Sequence, residues 1–181
     1  LDFVNNLKKD LIETQILGVA YCIGSIDIKP FKDTKANDFV SSYVLNHVGI
    51  TEIIRVFQEN LKKNKGSIVL FSTVAAKKGF ANHSIISSAK AAVEGLTLAL
   101  AAELAPEIRI NCIAPSLTKS KMASSVIRNS SIENSIAKMH PLKRIGQGQD
   151  SANLANFLLT NKSSWITGQI IGVDGGRSNI T

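Results

Sequence analysis

The chain has 181 residues, 44% of them hydrophobic, and a net charge of +7, enough apolar content for one globular domain, residues 1–181, with a core of its own. No apolar run approaches the roughly 18 residues that cross a bilayer and no signal-peptide pattern is present, so a membrane partner is not expected. Lys8, Lys9, Lys62, Lys63, Lys65, Lys77 and Lys78 are dispersed over predicted helix ends and loops, without interleaved aromatics or a block of like charge. That pattern argues against nucleic acid and for a solvated surface that attracts an anionic ligand. Cys22 and Cys112 lie in strand-like apolar surroundings. Two buried thiols without metal-type spacing are expected, which suits a reducing cytoplasm and no metal site.

In chain order, short apolar runs alternate with longer helical patterns, the signature of βα units and a parallel sheet. "ILGVAYCIG" (16–24) reads as a strand. In the helix that follows, Phe39, Val40, Tyr43, Val44, Ile50, Ile53, Ile54 and Phe57 keep a repeat that is expected to face the core. "GSIVLFST" (66–73) is near-continuously apolar, as a strand covered on both faces requires. An alanine-rich helix runs to Pro106, and "IRINCIAPS" (108–116) reads as a third strand. Residues 121–150 are polar, irregular and weakly helical, a segment that either closes over a ligand or is a plain surface excursion. "DSANLANFLLT" is an amphipathic helix, and "GQIIGVDGG" a last strand with a glycine-rich end. The fold class is therefore α/β, an open parallel sheet. Ligands in such folds bind outside the carboxyl ends of the strands, here residues 22–24, 72–73 and 115–120.

Six motifs in order give the sheet a family. "VLNHVG", "GSIVLFSTVAA", "AKAAVEGLTLALAAELAP", "IRINCIAPS", "HPLKRIG" and "SWITGQ" with "VDGG" together resemble the short-chain dehydrogenase/reductase family, from about Gly18 to Gly176. The resemblance implies a doubly wound, Rossmann-like sheet and hydride transfer between NAD or NADP and a small carbonyl or alcohol substrate. In that family a tyrosine exchanges a proton with the substrate oxygen, a lysine lowers its pKa, a serine hydrogen-bonds the oxygen and an asparagine holds a water. Lys90 matches the lysine, Asn46 the asparagine, and Thr73, with Ser72 beside it, the serine. The tyrosine position, four residues before Lys90, is Ile86, which neither donates nor accepts a proton. The nearest polar candidates are His83 and Ser87. Histidine has the better range for acid–base work, although His83 also fits a plain helix-entry residue.

The resemblance also assigns the cofactor. Asp2 resembles the aspartate that touches the adenine ring, and Gly24 is the glycine retained from the family's Asn-Asn-Ala-Gly, here Tyr21-Cys22-Ile23-Gly24. Lys90 would hold the nicotinamide ribose. Pro115 is followed by Ser116 where glycine is usual, and Ser120, with Thr118 close by, stands where a threonine contacts the nicotinamide amide. The family's glycine-rich TGxxxGxG loop has no match, so the N-terminal βαβ portion is expected to be missing from this chain, a longer gene product is expected, and the residues that choose NAD over NADP would lie outside the chain. A homodimer or homotetramer through the two long helices, and a cytoplasmic location, are implied. Two functions remain open: an oxidoreductase with an altered acid group, or a catalytically impaired protein that senses a dinucleotide or acts as a scaffold.

Overall fold

The structure, a computed structural model, describes residues 6, 7, 9–11 and 13–180. Four parallel strands, β1 (Gly18–Ala20), β2 (Ser67–Phe71), β3 (Arg109–Pro115) and β4 (Ile170–Val173), lie side by side in that order. Alternate side chains of the central strands face opposite ways, as the two-residue strand period requires. Ile68, Leu70, Ile110 and Cys112 pack into one core, and Val69 and Ile113 into another. This double burial explains why the strands read as unbroken apolar runs.

The first core is closed by two helices. Helix α2 (Gly49–Lys63) brings Ile50, Ile54, Phe57 and Leu61, and helix α3 (Ser84–Leu104) brings Val93, Ala101 and Leu104. Behind the other face, α5 (Gly148–Leu159) buries Ala155 and Leu158. Each of the isoleucines, leucines, Phe57 and Val93 contributes roughly 1.5–3 kcal/mol of burial, the alanines less. The sheet is thus covered on both faces, as the resemblance implies.

The long first helix departs from its sequence reading. Helix α1 (Ala36–Tyr43) runs into a π-helical turn, Val44–Val48, before α2 begins. A π turn adds a residue and rotates the apolar stripe by about 100°. Ile50, Ile54 and Phe57 therefore face the core as expected, whereas Tyr43, Val44 and Val40 (58% exposed) point outward. Leu98 on α3 is likewise exposed, and Gly95 has open space around it.

Three further differences follow from packing. Helix α3 has 21 residues and contains an 18-residue stretch of mean hydropathy 1.4, so by length and composition it could cross a membrane, contrary to the expectation that no such run exists. Here Ile85, Ala89, Val93, Thr97 and Ala101 recur every fourth residue on its buried side. Cys22 is exposed and only Cys112 is buried, because β1 ends two residues earlier. The polar segment 121–150 holds a regular helix, α4 (Ser130–Lys138), started by the Asn129 side chain, which accepts the Ile132 N–H at 2.9 Å.

Candidate functional site

The carboxyl end of β2 is tied to α3 by two reciprocal links. Lys90 Nζ donates to the carbonyl of Phe71 at 2.9 Å. One residue on, Ser72 Oγ lies 2.8 Å from Glu94 Oε1 and 3.3 Å from the Lys90 carbonyl, both acceptors. The single Ser72 proton is therefore committed inside the fold. Thr73 differs: its Oγ1 accepts the Ala75 N–H at 3.3 Å, capping the short turn Val74–Ala76, and its own proton meets no acceptor among the described residues. Of the two hydroxyls expected to serve a substrate oxygen, Thr73 keeps the capacity.

Glu94 escaped the sequence reading. It is 8% exposed, and its other oxygen lies 3.7 Å from Lys77 Nζ. Its four-residue offset from Lys90 stacks both on one helix face, and that spacing was the available signal. Burial pushes the Lys90 ammonium below the ordinary lysine pKa, since desolvation disfavours the charged form. Beneath it, burial and then the Glu94 charge push the Cys112 thiol up to about 12, so this cysteine is an inert core group.

Gly24 and Asn46 meet Lys90 from the β1 side. A Cβ on Gly24 would lie 2.6 Å from Asn46 Oδ1 and 3.3 Å from Lys90 Nζ, so the gap admits only bare backbone. Asn46 sits fully buried in the π turn. Its Oδ1 accepts the Ser25 N–H at 3.2 Å, and its Nδ2 lies 3.0 Å from the Ser42 carbonyl and 3.2 Å from Ser25 Oγ. Asn46 anchors the Gly24 loop, and Ser25 Oγ in turn lies 3.1 Å from Asp27.

Ile86 is 3% exposed and part of the buried side of α3. A cleft of about 340 Å³ opens beside it, lined by Phe31, Lys77, Phe80, His83 and Ser87 among others. His83 starts α3, and its Nδ1 lies 2.7 Å from the Ala81 carbonyl. A carbonyl only accepts, so Nδ1 donates in this contact. The Arg177 guanidinium stands 4.9 Å above the Phe80 ring and steadies that wall.

At the end of β3, Ser116 N bonds the Val173 carbonyl at 3.2 Å and Ser116 Oγ lies 2.8 Å from His140 Nε2. Thr118 Oγ1 donates to the Ser116 carbonyl at 3.0 Å, with Gly146 so close that a Cβ would lie 2.8 Å from that oxygen. Ser120 Oγ accepts the Ala123 N–H at 3.1 Å. Asp2 lies outside the described residues.

The expected site residues other than Asp2 thus line one sheet edge, with His83 at the adjoining cleft. Among the described residues their unused capacity is specific: two Lys90 protons and the Thr73 and Ser120 hydroxyl protons. That donor set, with the bare-backbone gap at Gly24, fits a ligand rich in hydroxyl and carboxamide groups such as a nicotinamide ribose.

A doubly wound sheet with a lysine helix facing a hydroxyl-bearing strand end defines a class, and sequence comparison agrees with it. The chain belongs to the short-chain dehydrogenase/reductase family. Residues 2–178 match the family pattern described as enoyl-(acyl carrier protein) reductase. Among curated relatives, a chloroplastic tropinone reductase homologue of Arabidopsis thaliana is 34% identical, the match covering 86% of this chain and 49% of that protein. The 7alpha-hydroxysteroid dehydrogenase of Escherichia coli is 35% identical, over 82% of this chain and 58% of that enzyme. The chain therefore spans about half the length of such relatives. A solved short-chain dehydrogenase/reductase from Mycobacterium ulcerans superposes with a TM-score of 0.89 at 27% identity, covering 98% of this chain and 66% of that one. ElxO with NADP bound superposes at 0.87 and 28% identity, covering 96% and 72%.

Proposed function

We propose that the protein is an NAD(P)-dependent oxidoreductase acting on a small carbonyl or alcohol, with Lys90 as its proton donor. The observation that carries this reading is the placement of Lys90, a half-buried ammonium that, among the described residues, hydrogen-bonds only the backbone carbonyl of Phe71. With Ile86 in the tyrosine position, no phenol is available. The lowered lysine pKa makes the ammonium a stronger acid than an exposed lysine, which suits proton delivery to an oxygen gaining negative charge. The Thr73 hydroxyl donates a hydrogen bond to the same oxygen. Ser72 and Glu94 hold the strand end against α3, and Asn46 holds Gly24 out of the way.

A bound nicotinamide supplies or accepts the hydride. Gly24, Lys90, Pro115, Ser116, Thr118 and Ser120 are the residues that would hold it, with Asp2 toward the adenine. The names of similar proteins favour the same class: a hydroxysteroid dehydrogenase and a reductase homologue among relatives, and NADP in ElxO. The body of the substrate extends from Lys90 and Thr73 toward the Phe31–Phe80 cleft, whose His83 and Ser87 offer polar contacts rather than the proton. The outward face of α1 and α3, with Val40, Val44 and Leu98 exposed, takes a second copy of the chain.

The test is NAD(P)H oxidation over a panel of ketones and aldehydes, with dinucleotide binding followed by fluorescence. Turnover that drops roughly 10²- to 10⁴-fold in Lys90→Met is expected, the usual worth of a positioned acid. Binding without turnover on any substrate would move the protein to the sensing or scaffolding role, and absence of binding would overturn the reading.

A further inference from the structure

The cleft beside Ile86 has features that proton delivery by Lys90 does not use. It begins where the Lys90–Thr73 pair ends: Ser87 stands three residues before Lys90, Ala75 two residues after Thr73, and both line it. Its walls come from separate parts of the chain. One carries Phe31, in the turn Phe31–Asp33 after β1, and the other Phe80 and the start of α3. The Lys29 N–H pins them together by donating to the Asn82 carbonyl at 3.0 Å. Phe31 is 73% exposed, an aromatic ring that neither core takes up.

The charge around this cleft is one-sided. None of the residues that line it is acidic. Lys77 lines it with a side chain 65% exposed, and its ion-pair partner, Glu94 Oε2, lies 3.7 Å away, beyond hydrogen-bond range. That carboxylate is bound to Ser72 through its other oxygen. The Lys77 ammonium is thus loosely held and can turn to a ligand. A second positive group, the Arg177 guanidinium, stands 4.9 Å from the Phe80 ring. The start of α3 adds donors. Its N-cap, His83, gives no side-chain cap, so the Ser84 and Ile85 N–H groups, at the positive end of a 21-residue helix, have no side-chain acceptor there. Ser84 lines the cleft as well, and its buried Oγ has no partner among the described residues.

We infer that the substrate is a keto acid or hydroxy acid about one ring in size, its carboxylate read by Lys77 and the start of α3 and its apolar body lying against Phe31 and Phe80. The inference rests on the oxidoreductase reading above and narrows its substrate. Size comes from the space itself: about 340 Å³ is at the small end of ligand sites, roughly 300–1,000 Å³, enough for one ring with a short arm and not for a multi-ring body. The carboxylate fixes one end of the molecule and the Lys90–Thr73 pair the other, so the reacting carbon is oriented by the protein before any chemistry.

The probes are keto acids paired with their own primary carboxamides, levulinate and para-acetylbenzoate, because the amide keeps the shape and removes the charge. NADH and NADPH oxidation gives kcat/KM for each probe, and calorimetry on the same probes gives affinity without turnover. The wild-type protein is expected to prefer the acids roughly three- to tenfold, the scale of a partly exposed charged contact, with the preference shrinking as salt rises. Lys77→Met should remove most of it and Lys77→Arg should keep it; the exposure of this side chain makes both changes safe for the fold. Phe31→Ala should raise KM for para-acetylbenzoate more than for levulinate, and an equal effect on both overturns the ring contact. A merely structural role of Lys77 would lower kcat/KM for acid and amide alike, and an unchanged ratio in Lys77→Met overturns the inference. Amides used as well as acids by the wild-type protein overturn it too and leave the oxidoreductase reading standing. Acids bound in preference to amides, with neither dinucleotide oxidised by any carbonyl, overturn the oxidoreductase reading and keep the carboxylate site alone.

Discussion

The two halves of the sheet's carboxyl end differ in how far the fold has already paired their polar groups. Where β2 meets α3, the groups with spare capacity are donors: the Lys90 ammonium and the Thr73 hydroxyl. Where β3 meets the loop after α4, the Ser116 hydroxyl is already paired with the buried His140 ring, 2.8 Å from its Nε2. Residue types alone do not reveal this difference, since Ser72, Thr73, Ser116 and Ser120 are all small hydroxyls. What separates them is the partner each one already has. Ser72 is bound to Glu94, Thr73 accepts a backbone N–H, and Ser116 is paired with a buried imidazole. A site is defined by what remains after the fold has satisfied its own polar groups.

The contrast breaks first at Lys90. Replacing it with methionine keeps its length and removes the donor, and kcat should fall roughly 10²- to 10⁴-fold while dinucleotide binding weakens only by the lost ribose contact, about tenfold at most; steady-state turnover with parallel fluorescence checks this. Gly24→Ala pushes a methyl group to within 2.6 Å of Asn46 Oδ1. An overpacked site of this kind costs about 1–3 kcal/mol, read as a shift of the denaturant midpoint, together with weakened cofactor binding. Glu94→Gln tests the tie beneath the donor end. Ser72 keeps an oxygen to donate to, so the loss should stay near about 1 kcal/mol, with a loosened Thr73 seen as a raised KM. His83→Ala should matter least, leaving kcat within about threefold, the scale of one neutral hydrogen bond. A larger fall would transfer the acid role to the cleft.

The element order and the sheet were legible because the central strands are buried on both faces and their apolar runs have no other use. That Gly24, Asn46 and Lys90 come together was legible because a motif fixes their spacing. The outward turn of Val40, Tyr43 and Val44 was not, since a π turn of one extra residue leaves no mark in the apolar repeat yet rotates everything before it. The exposure of Cys22 depends on where an edge strand stops pairing. The links of Ser72 to Glu94 and Ser116 to His140 join residues 22 and 24 positions apart, and only the packed sheet brings them within bonding distance. Glu94 alone had a visible signal, its one-turn offset from Lys90.

The pH dependence of kcat for carbonyl reduction tests the central claim most directly. Lys90 must carry its proton to deliver it, and burial lowers its pKa from the ordinary 10.5. The account predicts a rate that falls as pH rises, with its midpoint below 10.5, and a residual rate in Lys90→Met that lacks this limb. The same falling limb retained in Lys90→Met, or lost instead in His83→Ala, would contradict it.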